Sequence, residues 1–438
     1  MTAPGDPQEV PRGALSGIRV LDFSEYIAGP FAGEMLADMG AEVTKIEPPH
    51  GDFWRHTGSV APFESRGFMG VNKGKRSVSV DLKKPEAREF IERVTKYADV
   101  LLANYRPGVA ARLGMDYESL SAINPRLIYC ENTAFGSRGP YKDLAGYDLS
   151  TQAMAGIMSF EGAGGLPHPI ITTSPTDLAA GMFMAFAIAS ALYQREHTGH
   201  GQYIETSLFA AGIAVQYRPM FSIEATDKGP REAFLAALRQ ARREGRRDED
   251  VVAEHRPFRA SSSSSVRNPY YKVYETRDSY VALACLNNRL RRLVCQILEI
   301  EDPRVAGNEF DFQALTDDDS LVLSQLMEAV FTTRSTEEWV AVFDAAGVPC
   351  GPVRLTAELF EDPQVKADDL LVELEHPVMG RILMANSPVR MSGAATGSRL
   401  PPPALGQHSR EFLLELGYTE ERARVLERAG FVRSWRAR

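Results

Sequence analysis

Short apolar runs alternate with helical stretches through the first third of this chain. That alternation restricts the fold more than any other feature of the sequence. Ile18 to Asp22 reads as a strand, Ala41 to Ile46 as a second and Ser77 to Asp81 as a third. Val100 to Ala103 and Leu127 to Glu131 read as two more. Between the first two, Pro30 suits the first turn of a helix and Gly40 its end. Pro85 opens a later helix that carries Phe90, Ile91, Val94 and Ala98 on one face. Strands linked by helices pair in parallel, so the fold class expected is α/β, with a doubly wound sheet.

The rest of the chain changes character. Ala153 to Leu192 is rich in Ala, Met and Phe and is expected to be helical, apart from a glycine loop at Gly162 to Pro167. Met182 to Tyr193 is apolar nearly all round, the pattern of a buried helix. After about Met220 the composition shifts. Asp227 to His255 is charged and helical, as a solvated surface helix would be, and the serine run Ser261 to Ser265 follows. Tyr270 to Leu286 reads as two strands with a turn at Thr276 to Ser279. Helices are expected at Asn288 to Leu298, Asp317 to Phe331 and Thr336 to Ala346. This is a second, smaller α+β domain. Pro401 to Pro403 marks an extended segment before a helix pair over Ser409 to Arg428.

At 438 residues the chain has room for two or three domains. Its formal net charge of -9 argues against nucleic acid or an anionic membrane as a partner. Met1 to Gly13 lacks the apolar core of a secretion signal, and no run approaches ~18 apolar residues, so no membrane span is expected. The 4 cysteines are scattered without a paired spacing, which suits reduced thiols in the cytoplasm.

Nucleotide fingerprints are absent. The first strand is followed by Gly29 and Gly33 only, not by Gly-x-Gly-x-x-Gly. Gly70 and Gly74 are too close for a P-loop, and Arg76 follows Lys75 where Ser or Thr belongs. The 8 histidines show no metal-ligand spacing, so no metal and no tightly bound cofactor are expected. What the sequence does offer is three groups of polar residues. Lys73-Gly74-Lys75-Arg76 suits a phosphate, although such a charge run is more commonly a solvated basic turn. Asn104-Tyr105-Arg106-Pro107-Gly108, with Arg112 a turn later, falls at the carboxyl end of a strand, where ligands of open α/β sheets bind. Ser174-Pro175-Thr176-Asp177 opens the apolar helix, with Ser174 as its N-cap and Asp177 in its first turn. A carboxylate there is ordinarily a dipole partner for the helix; at the edge of a glycine loop it is also placed to act as a nucleophile.

Several passages occur together and in order: Gly17 to Ser24, Ala28 to Phe31, Leu36 to Glu47, Asn72 to Ser77, Asn104 to Gly108, Arg138 to Tyr141, Gly146-Tyr147-Asp148, Asp177 to Gln202, Gly347 to Val353 and Leu405 to His408. Together they resemble the family III CoA-transferases, the group that includes formyl-CoA transferase and carnitine CoA-transferase. The resemblance implies a Rossmann-like large domain over residues 15–215. It implies linkers and a small α+β domain over 216–385, and a segment over 386–438 that returns to the large domain. Two such subunits interlock as a homodimer. By resemblance, Asp177 is the catalytic aspartate. Lys75, Arg76, Asn104, Arg106 and Arg112 contact the CoA phosphates and adenosine, and Tyr147 and Asp148 lie near the acyl end.

The implied substrates are an acyl-CoA donor and a carboxylic acid acceptor, joined through a covalent aspartyl intermediate. Its oxyanions require backbone N–H donors, expected from Gly162 to Gly165 and from the helix start after Ser174. Formyl-CoA transferase covers its intermediates with a glycine-rich loop of the small domain; the comparable Ser261 to Ser265 has no glycine run. The related α-methylacyl-CoA racemase, which exchanges an α-proton, uses a His where this chain has Tyr147, a weak base at neutral pH. A CoA-binding protein without catalysis is the remaining alternative.

Overall fold

The computed structural model describes residues 12–158, 167–217, 219–254 and 268–435. The packing divides the chain into two compact units. One holds Met1–Ser222 with Gln364–Arg438, the other Ile223–Pro363.

The first unit is built on seven strands. In chain order these are β1 (Arg19–Asp22), β2 (Glu42–Glu47), and, after a small hairpin of β3 (Ser59–Ala61) and β4 (Glu64–Ser65), β5 (Lys75–Val80). Then come β6 (Val100–Ala103), β7 (Ile128–Thr133) and β8 (Tyr203–Ser207). The sheet order is β14-β5-β2-β1-β6-β7-β8, where β14 (Val432–Arg433) comes from the far end of the chain. All pairs are parallel except β14, which runs antiparallel along β5, with Val432 opposite Val80. The fold is mixed α/β with a parallel-dominated central sheet.

The side-chain alternation of the strands feeds two cores. Val20, Val43, Val100, Leu102 and Ile128 face the helices Ala28–Asp38 and Pro175–Thr198. Leu21, Val78, Leu101 and Tyr129 face the other way, onto Ala87–Tyr97 and the C-terminal helices Ser409–Glu415 and Glu420–Arg428. Burial on both faces explains why these strands read as apolar runs. The two long helices of the first face cross where Gly181 meets Ala28. A Cβ on Gly181 would lie 2.7 Å from the Ala28 carbonyl oxygen, so only glycine permits this approach.

The second unit has its own core. A sheet of β9 (Tyr271–Glu275), β10 (Tyr280–Ala284) and β11 (Cys350–Pro352) packs, with Asn288–Leu298, Asp317–Phe331 and Thr336–Ala345, around Tyr270, Tyr274, Phe331, Trp339 and Phe343. The charged stretch forms the helices Glu224–Arg243 and Asp248–Glu254. Several strands of the first unit lay outside the sequence reading: β8, the β3–β4 hairpin, β14, and a hairpin of β12 (Leu371–His376) and β13 (Gly380–Ala385).

The expectation of a buried helix over Met182 to Tyr193 is corrected. Ala180, Met184 and Ile188 are buried, but Phe186 and Tyr193 are each 72% exposed, because only one face meets the sheet and its neighbour helix. The helix is also, by length and composition, long and apolar enough to cross a membrane, which the count of apolar runs missed. Half of its most apolar window is buried within the protein, and its buried Arg195 pairs with Asp99 at 2.9 Å.

Candidate active site

A cavity of about 900 Å³ opens at the carboxyl ends of β1, β6 and β7. The chain proceeds from β1 to β2 on one side, while β6 lies on the other, so this is the topological switch point where open α/β sheets take ligands. Glu25 and Tyr26 enter from the end of β1, Asn104 and Arg106 from β6, and Asn132 and Thr133 from β7. Tyr147, Asp148 and Asp177 complete the wall.

Asp177 lies in the first turn of Pro175–Thr198, as expected, but Ser174 does not cap that helix. Its backbone is left-handed (φ 41°, ψ 64°) and its side chain makes no capping bond. The cap comes from Asp148, itself in the first turn of the helix Asp148–Ala155. Asp148 Oδ1 accepts from Thr176 N at 2.8 Å, from Thr176 Oγ1 at 2.6 Å and from Asp177 N at 3.3 Å. Leu178 N donates to the Ser174 carbonyl. The first-turn N–H groups are therefore engaged, which corrects the expectation that they receive an oxyanion. The other expected donors, Gly162 to Gly165, lie outside the described residues, as does Ser261 to Ser265.

The Asp148 carboxylate also sets the electrostatics. Burial in the cavity wall, together with the like charge of Asp148, pushes the half-buried Asp177 carboxyl up to about 7. Tyr147 precedes Asp148, and its hydroxyl lies 3.3 Å from that of Tyr26. A close approach holds this turn in place: a Cβ on Gly146 would lie 2.8 Å from the Ala134 side chain and 2.9 Å from Phe135.

The basic residues fare differently. Arg106 lines the cavity, is exposed, and has no ion pair among the described residues. Arg112 is exposed on the short helix Val109–Arg112, outside the cavity lining. Asn104 lines the cavity, but its amide braces the β1 turn: Oδ1 accepts from Glu25 N at 2.9 Å and Nδ2 donates to Glu25 O at 2.7 Å. Lys75 is a correction. It is 1% exposed, and its ammonium donates to Asp22 Oδ2 (2.8 Å), the Pro30 carbonyl (2.6 Å) and Asn72 Oδ1 (2.8 Å). With three donors engaged, nothing remains for a phosphate. Although burial opposes it, the nearby Lys75 and Lys45 hold Asp22 below the usual carboxylate range. Arg76 is corrected as well: it pairs with Glu415 at 2.6 Å, away from the cavity.

Among the cavity residues that escaped the sequence reading are Glu25, Tyr26, Phe53 and Trp54. The available signal was position, since Glu25 and Tyr26 stand directly after the first strand. Tyr26 has a φ of 68°, unusual for a bulky residue. One buried carboxylate holds it there. Asp52 Oδ1 accepts from Tyr26 N (3.2 Å) and Trp54 N (2.8 Å), while its Oδ2 pairs with buried Lys45 at 3.0 Å. Burial and the neighbouring Asp52 push the Glu25 carboxyl up to about 7. No cluster of His, Cys, Asp or Glu able to hold a metal occurs among the described residues.

Residues 15–409 match the model of CoA-transferase family III. The chain is 32% identical over 412 residues to succinyl-CoA:glutarate CoA-transferase of Mus musculus, covering 92% of this chain and 86% of that enzyme. It is 34% identical over 389 residues to acetyl-CoA:oxalate CoA-transferase of Acetobacter aceti, covering 87% and 90%. The crystal structure of a CAIB/BAIF family protein from Brucella suis superposes with a TM-score of 0.71 at 29% identity, covering 92% of this chain and 100% of that one. The protein is an enzyme of this type, and the chain belongs to CoA-transferase family III.

Proposed function

We propose that this enzyme moves CoA from an acyl-CoA thioester to a free carboxylic acid through a covalent intermediate on Asp177. The observation that carries this reading is the placement of Asp177. It is a half-buried carboxyl in a cavity at the sheet's switch point, with its pKa raised to about 7 by burial and Asp148. A carboxylate of raised basicity, still partly ionised at neutral pH, is a competent nucleophile. Its attack on the thioester carbonyl breaks the C–S bond, giving a mixed anhydride and CoA thiolate. The thiolate attacks the aspartyl carbonyl and releases the donor acid, leaving aspartyl-CoA. The acceptor carboxylate attacks that thioester, the thiolate leaves, and a second anhydride forms. Thiolate attack on the acceptor acyl carbon then frees Asp177. Each step exchanges one activated acyl bond for another, so no ATP is consumed.

Arg106 is the residue of the basic set best placed for a CoA phosphate, being exposed on the cavity wall. The α-proton exchange of a racemase needs a base where Tyr147 stands, and that phenol faces another phenol, Tyr26. A homodimer in the cytoplasm belongs to the same proposal. The exposed face of the long helix, with Phe186 and Tyr193, is surface that a second copy would cover. A monomeric mass by light scattering would remove that part.

The test is trapping. The protein is incubated with acyl-CoAs, quenched with hydroxylamine, digested and mapped by mass spectrometry. An acyl-CoA-dependent hydroxamate on Asp177 supports the covalent route. Absence of any adduct, with an acyl-CoA that demonstrably binds, defeats it.

A further inference from the structure

The acyl end of the cavity has a wall of unusual chemistry. Tyr26 stands at its centre. The Tyr147 ring meets it edge-on at 5.2 Å, Trp54 tilts against it at 6.1 Å, and Phe53 lies parallel at 6.4 Å. All four line the cavity that holds Asp177. Phe53 and Tyr147 are 53% and 55% exposed, so their rings present open faces rather than filling a core. The wall begins beside the nucleophile, because Tyr147 adjoins Asp148, whose carboxylate touches the Asp177 backbone. It is rigid at its base: Asp52 pins the backbones of Tyr26 and Trp54, and buried Lys45 fixes Asp52.

Charge sharpens the picture. Glu25, adjoining Tyr26, also lines the cavity, and so does Asp148. The lining also carries Arg106 and Lys142, but Glu25 and Asp148 are the charged lining residues that adjoin the aromatic wall in sequence, next to Tyr26 and Tyr147. A second carboxylate packed on that wall would therefore lie against an acidic neighbour. A planar or apolar body gains aromatic contact there and meets no such opposition.

Resting on the transferase reading, we infer that the acid activated by this enzyme is a monocarboxylic acid with an aromatic or bulky apolar body. That body packs on Tyr26, Phe53, Trp54 and Tyr147, with Glu25 disfavouring dicarboxylic acids. The relatives named for glutarate and oxalate act on dicarboxylates, so this chain departs from them in the acid it takes.

The experiment ranks three CoA esters on the intact enzyme: phenylacetyl-CoA, acetyl-CoA and glutaryl-CoA. Two readouts are taken, the rate of hydroxamate formation on Asp177 and the equilibrium dissociation constant by calorimetry. Phenylacetyl-CoA is expected to exceed glutaryl-CoA by about tenfold or more in both. Phe53→Ala, at an exposed position, should cut that ratio several-fold, and Glu25→Gln should narrow it by improving glutaryl-CoA. Glutaryl-CoA equal to or better than phenylacetyl-CoA overturns the inference. So does a Phe53→Ala variant that weakens free CoA and phenylacetyl-CoA equally, because the wall would then serve the nucleotide. If no ester modifies Asp177, the transfer mechanism fails, while the calorimetric ranking still decides the acid class.

Discussion

Asp177 and Asp148 form a pair in which one carboxylate fixes the other. Asp148 supplies the helix cap that Ser174 does not, and its charge helps to raise Asp177. Asp177→Asn should lower transfer by about 10³-fold or more and abolish the hydroxamate, as measured by turnover and mass spectrometry. It should also change stability in a pH-dependent way. The folded carboxyl titrates near 7, above its ordinary 3.8. Between these values the folded state holds the proton more often than the unfolded state, so this group lowers stability as pH rises through the window. Asp177→Asn should therefore melt higher than the native enzyme at pH 8 and nearly equal to it at pH 4. In Asp148→Asn the side-chain oxygen that accepts from the backbone N–H groups persists but the charge is gone. The acid limb of Asp177 acylation should move to lower pH, and an unmoved limb would count against the pairing.

At the scale of elements, much of the sheet was legible. β6 coincides with its expected span and the other expected strands differ by one or two residues, because each is buried on both faces and its apolar run carries the signal. The remaining strands, among them β8, β11, β12, β13 and β14, were not legible. Leu371–His376 alternates buried with exposed residues among charges, and Val432–Arg433 is too short to register. The site was half legible. Asp177, Asp148, Tyr147 and Arg106 line one cavity. Lys75 was misplaced, since a Lys-Arg run reads as surface or phosphate site until its partner is known, and Asp22 lies 53 residues away. Helix capping failed likewise, because the acceptor comes from Asp148, on another helix. The Lys75 reading has a direct check. Lys75→Met leaves Asp22 buried without its partner and should cost about 3–5 kcal/mol in urea unfolding. CoA affinity of the remaining folded protein should be unchanged.

For the molecule as a whole, the cavity at the switch point separates two kinds of nucleotide ligand. The sheet ends lack the glycine-rich turn that a dinucleotide needs, yet they hold an exposed Arg106 and the Asp177 carboxyl. CoA at 100-fold over its dissociation constant should stabilise the enzyme by about 2.7 kcal/mol, read as a rise in melting temperature. NADH at the same concentration should give none. The large unit also joins distant parts of the chain: Arg55 forks onto Glu47 at 2.6 and 2.9 Å and reaches the Pro403 carbonyl, and β14 closes the edge of β5. That closure has a consequence for synthesis. Roughly 350 residues separate β5 from β14, which at 5–20 residues per second means roughly 20–70 s of translation. Throughout that interval the edge of β5 is an open row of backbone donors and acceptors on the nascent chain. A message cut short near its end would thus yield a subunit with an unsealed sheet, a target for chaperones and proteases rather than a slightly shorter enzyme.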